Sequence, residues 1–72
     1  MTSHRRISIA IPVFNEEAVL PELLTRVGQV LDALPGGPHE VVFVNDGSRD
    51  RSQALLEAAA SADPRLVVVE FS

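Results

Sequence analysis

The feature that most constrains this chain is an apolar run that ends abruptly in polar residues. Four apolar residues, at positions 41–44, lead directly into Asn45, Asp46, Gly47 and Ser48. A short apolar run rich in valine predicts a buried strand, and the glycine and polar residues after it predict a tight turn. An acid at such a strand end would face the crevice where open α/β sheets bind ligands. The run therefore indicates both a fold class and a ligand-binding edge.

The rest of the chain alternates between strand and helix patterns. We predict strands over residues 7–11, 40–45 and 65–71, and helices over residues 17–34 and 51–62. In the first helix, apolar residues recur at helical spacing, and Pro21 places the start of the regular helix close to itself. Asn15 or a near neighbour is the predicted N-cap of the first helix. Asp50, with Gln53 three residues later, is the predicted capping box of the second.

The predicted order βαβαβ defines the fold class. Right-handed crossovers place consecutive parallel strands side by side, which gives the strand order 3-2-1. The second and third strands are nearly continuous apolar runs, as is typical of parallel strands that are covered on both faces. We therefore predict an α/β fold with three parallel strands and two helices, one half of a Rossmann-like sheet. Because 72 residues are few for a complete domain and the sequence stops at an apolar strand, we expect residues 1–72 to be a single partial domain.

Composition excludes several classes of function. The net charge of −4 argues against a nucleic-acid groove, and the absence of cysteine excludes a disulfide. Only His4 and His39 are present, both in predicted loops, so we expect no structural metal site and no partner for His39. The first residues lack the pattern of a signal peptide, and no apolar run approaches the roughly 20 residues that span a bilayer.

Two polar loops follow neighbouring predicted strands and should share one crevice. An aromatic ring can stack on a base, a carboxylate can accept a hydrogen bond from a base imino group or a ribose, and a glycine allows close approach. As isolated features, each loop is equally well explained as a turn or a helix start. The chain has neither G-x-G-x-x-G nor a P-loop, which argues against dinucleotide and P-loop sites. The loop residues within reach of one ligand are Phe14, Asn15, Glu16 and Asp46, with Gly47 at the turn.

Two segments carry a resemblance to a known family. Residues 11–17 (IPVFNEE) and 42–50 (VFVNDGSRD) resemble the start of family 2 glycosyltransferases, which have the GT-A fold. The resemblance is strongest to polyprenyl-phosphate sugar transferases, such as dolichyl-phosphate mannose synthase and bactoprenol glucosyltransferases. It covers nearly the whole chain from Ile7. Either segment alone is a weak signal, whereas the pair within βαβαβ is fairly specific.

The resemblance implies a site and its ligands. It implies a UDP- or GDP-linked sugar donor and a polyprenyl-phosphate acceptor. The nucleotide-binding residues that it implies are Pro12, Phe14, Asn15, Glu16, Asp46, Gly47 and Ser48. Phe14 stands where the family commonly has tyrosine, and Asn45 replaces the first aspartate of an Asp-Asp-Gly-Ser motif. The resemblance also implies a whole protein that works at the cytoplasmic face and, as in many relatives, is attached to the membrane.

The same resemblance also indicates what this chain lacks. The family uses Mg²⁺ or Mn²⁺, held by an Asp-x-Asp triplet downstream of the third strand, and no such triplet occurs here. We therefore assign no catalytic residue and no metal ligand to these residues. The isolated chain is expected to bind nucleotide weakly and to be inactive.

Two other functions remain open from the residues alone. One is another sugar nucleotidyl or glycosyl enzyme that shares this half of the fold. The other is a non-catalytic α/β module, such as a receiver-like signalling domain. A receiver would be expected to carry acids at the end of the first strand, where Ile11 and Pro12 stand, although Glu16 and Glu17 follow later in the loop.

Overall fold

The computed structural model describes residues 6–71 and confirms the predicted order of elements. The strands and helices alternate along the chain with short connections. Their bounds are β1 (Ser8–Val13), α1 (Leu20–Ala33), β2 (Glu40–Asp46), α2 (Ser52–Ala62) and β3 (Leu66–Phe71). The two helices therefore serve as the crossovers between three strands.

All three strands are parallel and form one sheet with β2 in the centre. This is the predicted order 3-2-1, read from the opposite edge, so the α/β fold class is confirmed. Val13 pairs with Asn45, and Asp46 pairs with Phe71. The carboxyl ends of the strands are thus aligned, and the loops that follow β1 and β2 leave from the same edge of the sheet.

Both helices pack on one face of the sheet. Alternate residues of β2 are buried there, namely Val41, Phe43 and Asn45, while their neighbours in the strand are more exposed. Leu20 and Leu31 of α1 and Leu56 of α2 belong to the same buried apolar cluster as Val41 and Phe43. Burial of large aliphatic side chains contributes about 1.5–3 kcal/mol each, so this face is where the sheet is stabilised.

The other face of the sheet, which we call the open face, carries apolar side chains that no helix of residues 6–71 covers. Along β3, Val67, Val69 and Phe71 point to this face and are 40%, 36% and 55% exposed. The expectation that the strands are covered on both faces is therefore wrong for the described part of the chain. The physical reason is that two successive right-handed crossovers between adjacent strands place their helices on the same side.

The start of α1 differs from the prediction. β1 continues through Pro12 to Val13, which is possible because β1 is an edge strand and proline lacks a hydrogen-bond donor. The regular helix begins at Leu20, next to Pro21 as predicted, although the helical spacing of apolar residues was expected to extend from residue 17. No side chain caps it. Asn15 is not its N-cap. It lies outside the helix and bonds to the loop after β2.

The start of α2 also corrects the predicted capping box. The Asp50 Oδ1 atom accepts a hydrogen bond from the backbone N–H of Ser52 at 2.9 Å, as an Asx turn does. Gln53 does not reach back to complete the box, because its side chain bonds to Asn45 and Glu57 instead. Asp50 therefore orders the entry to α2 without the reciprocal partner that the sequence suggested.

His39 has two partners where the sequence indicated none. It is buried, and its Nδ1 accepts a hydrogen bond from the backbone N–H of Ile7 at 2.9 Å. Its Nε2 lies 2.9 Å from the Pro35 carbonyl oxygen, to which it donates. The imidazole thus ties the start of β1 to the end of α1, at the edge of the sheet opposite the two polar loops.

The helices in the described range are too short or too polar to cross a lipid bilayer. This finding concerns residues 6–71 only.

The packing predicts a large effect of truncating Leu56, which is fully buried between α2 and the sheet. Leu56→Ala should lower the free energy of unfolding by about 2–5 kcal/mol, since it removes buried methyl groups and leaves a cavity. Val30→Ala, at a side chain that is 53% exposed, is the control and should change the free energy by no more than about 0.5 kcal/mol. Denaturant unfolding of the protein that contains this chain measures both, and equal effects would contradict this description of the core.

Candidate functional site

Two loops meet at the carboxyl edge of the sheet. The first loop (residues 14–19) follows β1, and the second loop (residues 47–51) follows β2. The backbone N–H of Asn15 donates to Ser48 Oγ at 2.8 Å, and the backbone N–H of Arg49 donates to Asn15 Oδ1 at 2.7 Å. Asn15 and Ser48 are therefore in direct contact, as the placement of both loops on one edge predicted.

Two further hydrogen bonds join the first loop to the start of α2. The backbone N–H of Glu16 donates to Ser52 Oγ at 2.9 Å, and that of Glu17 donates to Asp50 Oδ2 at 3.1 Å. Ser52 is fully buried. Together with the Asn15 bonds, these contacts hold the two loops as one unit.

Two residues adopt left-handed backbone conformations at this edge. Asn15 has a φ of 50°, which asparagine tolerates better than most residues. Gly47 has a φ of 74°. A Cβ at Gly47 would lie 3.7 Å from the Phe71 carbonyl oxygen, so there is space for it, and the backbone conformation is what favours glycine there.

Asn45 organises the second loop from inside the protein. Its side chain has no exposed surface, its Oδ1 accepts from the backbone N–H of Ser48 at 3.2 Å, and its Nδ2 donates to Gln53 Oε1 at 2.8 Å. Asp46, the next residue, points to the open face because side chains alternate along a strand. Asn45 is thus buried on the helix side of the sheet, whereas Asp46 lies on the open face.

The exposed groups at this edge include an aromatic ring and carboxylates, together with Arg49 and Arg51 of the second loop. Phe14 is 58% exposed, and Pro12, Glu16 and Asp46 are exposed as well. Asp46 accepts no hydrogen bond from any residue in the described range. Its register partner is the exposed Phe71 of β3. The edge therefore presents an aromatic ring and a carboxylate beside the open face of the sheet.

The electrostatics of the edge centre on Asp50. A hydrogen bond from the Ser52 hydroxyl holds the pKa of the Asp50 carboxyl below its ordinary value, and the backbone N–H groups of Ser52 and Glu17 act in the same direction. Burial acts in the opposite direction but does not outweigh these bonds. The ionised carboxylate is therefore the form that holds the first loop.

The described residues do not fit a divalent cation. Within residues 6–71, no three Asp, Glu, His or Cys side chains come close enough to bind a metal ion together. The Asp50 carboxylate already accepts hydrogen bonds from the backbone N–H groups of Glu17 and Ser52. No step of a reaction is therefore assigned to a metal held by these residues.

The sequence did not predict the hydrogen bonds that three polar side chains accept from backbone N–H groups at this edge. Asn45, Asp50 and Ser52 are each used to bind backbone N–H groups at this edge. A usable signal was the recurrence of short polar side chains just after a strand, since such side chains commonly bond nearby or neighbouring backbone. The partners of Asp50 and Ser52 in the first loop lie more than 30 residues away in sequence, so no local pattern indicates them.

The class of this protein follows from comparison with known families. Residues 8–72 match the sequence profile of glycosyl transferase family 2, and the chain belongs to that family. The resemblance carried by the two motifs is thereby confirmed.

Individual relatives narrow the comparison. An uncharacterized glycosyltransferase of Bacillus subtilis, YkcC, is 42% identical over 72 residues, which is 100% of this chain and 22% of the relative. An undecaprenyl-phosphate 4-deoxy-4-formamido-L-arabinose transferase of Pseudomonas aeruginosa is 55% identical over 62 residues, 86% of this chain and 18% of the relative. A prophage bactoprenol glucosyl transferase homolog of Escherichia coli is 37% identical over 67 residues, 93% of this chain and 22% of the relative.

The chain thus spans about a fifth of the length of the curated relatives it matches. No solved structure matches it significantly.

The lowered pKa of Asp50 predicts a pH-dependent contribution to stability. The ionised carboxylate is bound in the folded state, so its contribution is full above the ordinary pKa of about 3.8 and is lost as the pH falls through the lower folded value. The difference in unfolding free energy between the wild type and Asp50→Asn should therefore shrink as the pH is lowered below about 4. Denaturant unfolding at a series of pH values measures it.

Asp63→Asn is the control for this experiment. Its carboxylate is bound by Arg65, which lowers its pKa as well, and its removal leaves the Asp50 contact in place. In a protein that carries Asp63→Asn, the pH-dependent difference in unfolding free energy caused by Asp50→Asn should persist. A difference that does not vary with pH in either background would show that the Asp50 carboxylate does not hold the loops.

Proposed function

We propose that the protein containing this chain transfers a sugar from a nucleoside diphosphate to a polyprenyl phosphate, and that this chain binds the nucleoside. Membership in glycosyl transferase family 2 supports the transferase activity. The names of two relatives, an undecaprenyl-phosphate formamido-arabinose transferase and a bactoprenol glucosyl transferase homolog, support a lipid-phosphate acceptor. Because that acceptor is a lipid, we place the whole protein at a membrane surface, on its cytoplasmic face.

The observation that carries the proposed site is the pairing of the two loops. Hydrogen bonds between the loops hold the first loop beside the second, while Phe14 and Asp46 stay exposed on the same edge of the sheet. A flat aromatic ring can stack on a base, and a carboxylate can accept from the imino N–H of a base or from ribose hydroxyls. Uracil and guanine both carry an imino N–H, so UDP and GDP are both candidate ligands.

The other predicted site residues have supporting roles in this proposal. Pro12 is the second-last residue of β1 and pairs with Val44 of β2, and Glu16 is exposed in the first loop. Asn15 and Ser48 hold the loops together, and Gly47 gives the turn its left-handed backbone. The pocket is therefore formed partly by groups that meet the ligand and partly by groups that keep them in place.

We propose that residues 1–72 are the N-terminal, nucleotide-binding portion of a larger catalytic domain. The uncovered apolar residues of the open face support this, since exposed apolar patches usually mark an interaction surface. The short coverage of the relatives supports it as well. The Mg²⁺ or Mn²⁺ site and the acceptor site then belong to the rest of the domain, so the isolated chain binds nucleotide weakly and catalyses no transfer.

Family membership favours this function over a non-catalytic receiver-like module. A receiver needs acids at the end of β1, and the structure places Ile11 and Pro12 within that strand instead. Glu17, which follows in the loop, uses its backbone N–H to bind Asp50 and is not paired with another acid there. The direct test is whether the whole protein binds a nucleotide.

Asp46→Ala should weaken binding of UDP or GDP by about tenfold to a hundredfold, because a hydrogen bond to a charged group contributes about 1.5–3 kcal/mol. Isothermal titration of the full-length protein, with Mn²⁺ present, measures the affinity. Asp32→Ala is the matched control, since it removes an exposed carboxylate near the opposite edge of the sheet. Unchanged affinity in Asp46→Ala would rule out the proposed role of that carboxylate, and no binding by the wild type would overturn the donor site itself.

Phe14→Ala should weaken nucleotide binding by about fivefold to a hundredfold, because stacking of a base on an aromatic ring contributes about 1–3 kcal/mol. Phe14→Tyr should retain the affinity, since the ring face is unchanged. Val19→Ala, another truncation of an exposed apolar side chain in the first loop, is the control. Equal losses in Phe14→Ala and Val19→Ala would indicate a general effect on the loop instead of stacking.

A further inference from the structure

Three side chains form a continuous hydrogen-bonded series behind the proposed nucleoside site. Asn45 Nδ2 donates to Gln53 Oε1 at 2.8 Å, and Gln53 Nε2 donates to Glu57 Oε2 at 2.8 Å. Asn45 is fully buried at the end of β2, Gln53 is half-buried in α2, and Glu57 is exposed one turn further along α2. The series therefore runs from the surface of α2 to the buried side of the turn that carries Asp46.

The groups at the two ends determine the direction of every hydrogen bond in the series. At the inner end, the backbone N–H of Ser48 can only donate, so the Asn45 oxygen must face it at 3.2 Å and the Asn45 nitrogen must face Gln53. At the outer end, the Glu57 carboxylate accepts, so the Gln53 nitrogen must face it and the Gln53 oxygen must face Asn45. Ser48 at the inner end and Glu57 at the outer end therefore require one and the same orientation of the Asn45 and Gln53 amides.

This orientation favours an amide over an acid at position 45. A carboxylate there would still accept from Ser48, but its second oxygen would face the Gln53 oxygen without a proton between them. Gln53 could turn its nitrogen inward only by turning its oxygen toward the Glu57 carboxylate. The structure thus gives a physical reason for asparagine where the family motif commonly has aspartate.

We propose that Gln53 and Glu57 are positioning residues for the nucleoside site, acting through the amide of Asn45. The hydrogen bond from the Ser48 backbone N–H to the Asn45 side chain spans Asp46 and Gly47. The orientation of the Asn45 amide therefore fixes the conformation of this turn. Neither Gln53 nor Glu57 needs to touch the ligand for this effect. The role in binding rests on the proposed function, whereas the coupling among the three side chains does not.

The first test reverses the donor-to-acceptor direction of the hydrogen bonds in this series, in the full-length protein. Asn45→Asp should weaken nucleotide binding by about tenfold, because it leaves two acceptors facing each other. Adding Glu57→Gln supplies a donor at the outer end, lets Gln53 turn, and should recover about threefold or more of the affinity. Asn45→Asp with Glu22→Gln is the control, since it makes the same change in net charge at an exposed glutamate of α1.

A second test avoids placing a carboxylate at the buried position. Gln53→Glu keeps the acceptor that faces Asn45 but sets two carboxylates against each other at the outer end, and should weaken nucleotide binding several-fold. Gln53→Glu combined with Glu57→Gln restores a donor-acceptor pair there and should bind nucleotide within about twofold of the wild type. The midpoint of thermal unfolding, measured without nucleotide, should show the same pattern of loss and recovery.

The outcomes separate the two proposals. Recovery specific to Glu57→Gln, in both affinity and unfolding midpoint, supports the positioning series. Equal recovery with Glu22→Gln, or no recovery in either pair of variants, overturns it. If the wild type binds neither UDP nor GDP, the proposed function fails; recovery of the unfolding midpoint would then still support the coupling, and its absence would overturn that as well.

Discussion

The structure of this edge of the sheet depends on how three consecutive backbone N–H groups of the first loop are bonded. Backbone donors are costly to leave without a partner when they are shielded from water. Those of Asn15, Glu16 and Glu17 are each taken by a side chain that follows β2. The loop that carries Phe14 is therefore held against the loop that follows Asp46.

The alternation of side chains along β2 gives its last two residues, Asn45 and Asp46, different roles. Asn45 points toward the helices and is buried, so its amide serves the backbone and α2. Asp46 points to the open face and is exposed, so its carboxylate is available to a ligand. A shift of one residue in the register of β2 would exchange these surroundings and place a carboxylate in the core.

The sequence predicted much of the fold because the relevant signals are local. The apolar runs and helical spacing identified all five elements, and the chirality of crossovers gave the strand order. It failed where a local pattern has two tertiary outcomes. An apolar run such as residues 66–69 shows that a strand avoids water, but not which faces are covered. Likewise, Asn15 and Asp50 suit helix caps in isolation, yet they bond across the loops.

The sequence by itself determined the family and the order of elements, because motifs and periodicity are properties of short segments. Tertiary structure alone decided which polar residues hold the site and which remain exposed. Ser52 and Asp50 accept hydrogen bonds from the first loop because the fold brings these donors to them from a distant segment. Asp46 remains exposed because the alternation of β2 places it on the side that the two helices do not cover, and Phe14 remains exposed in the first loop.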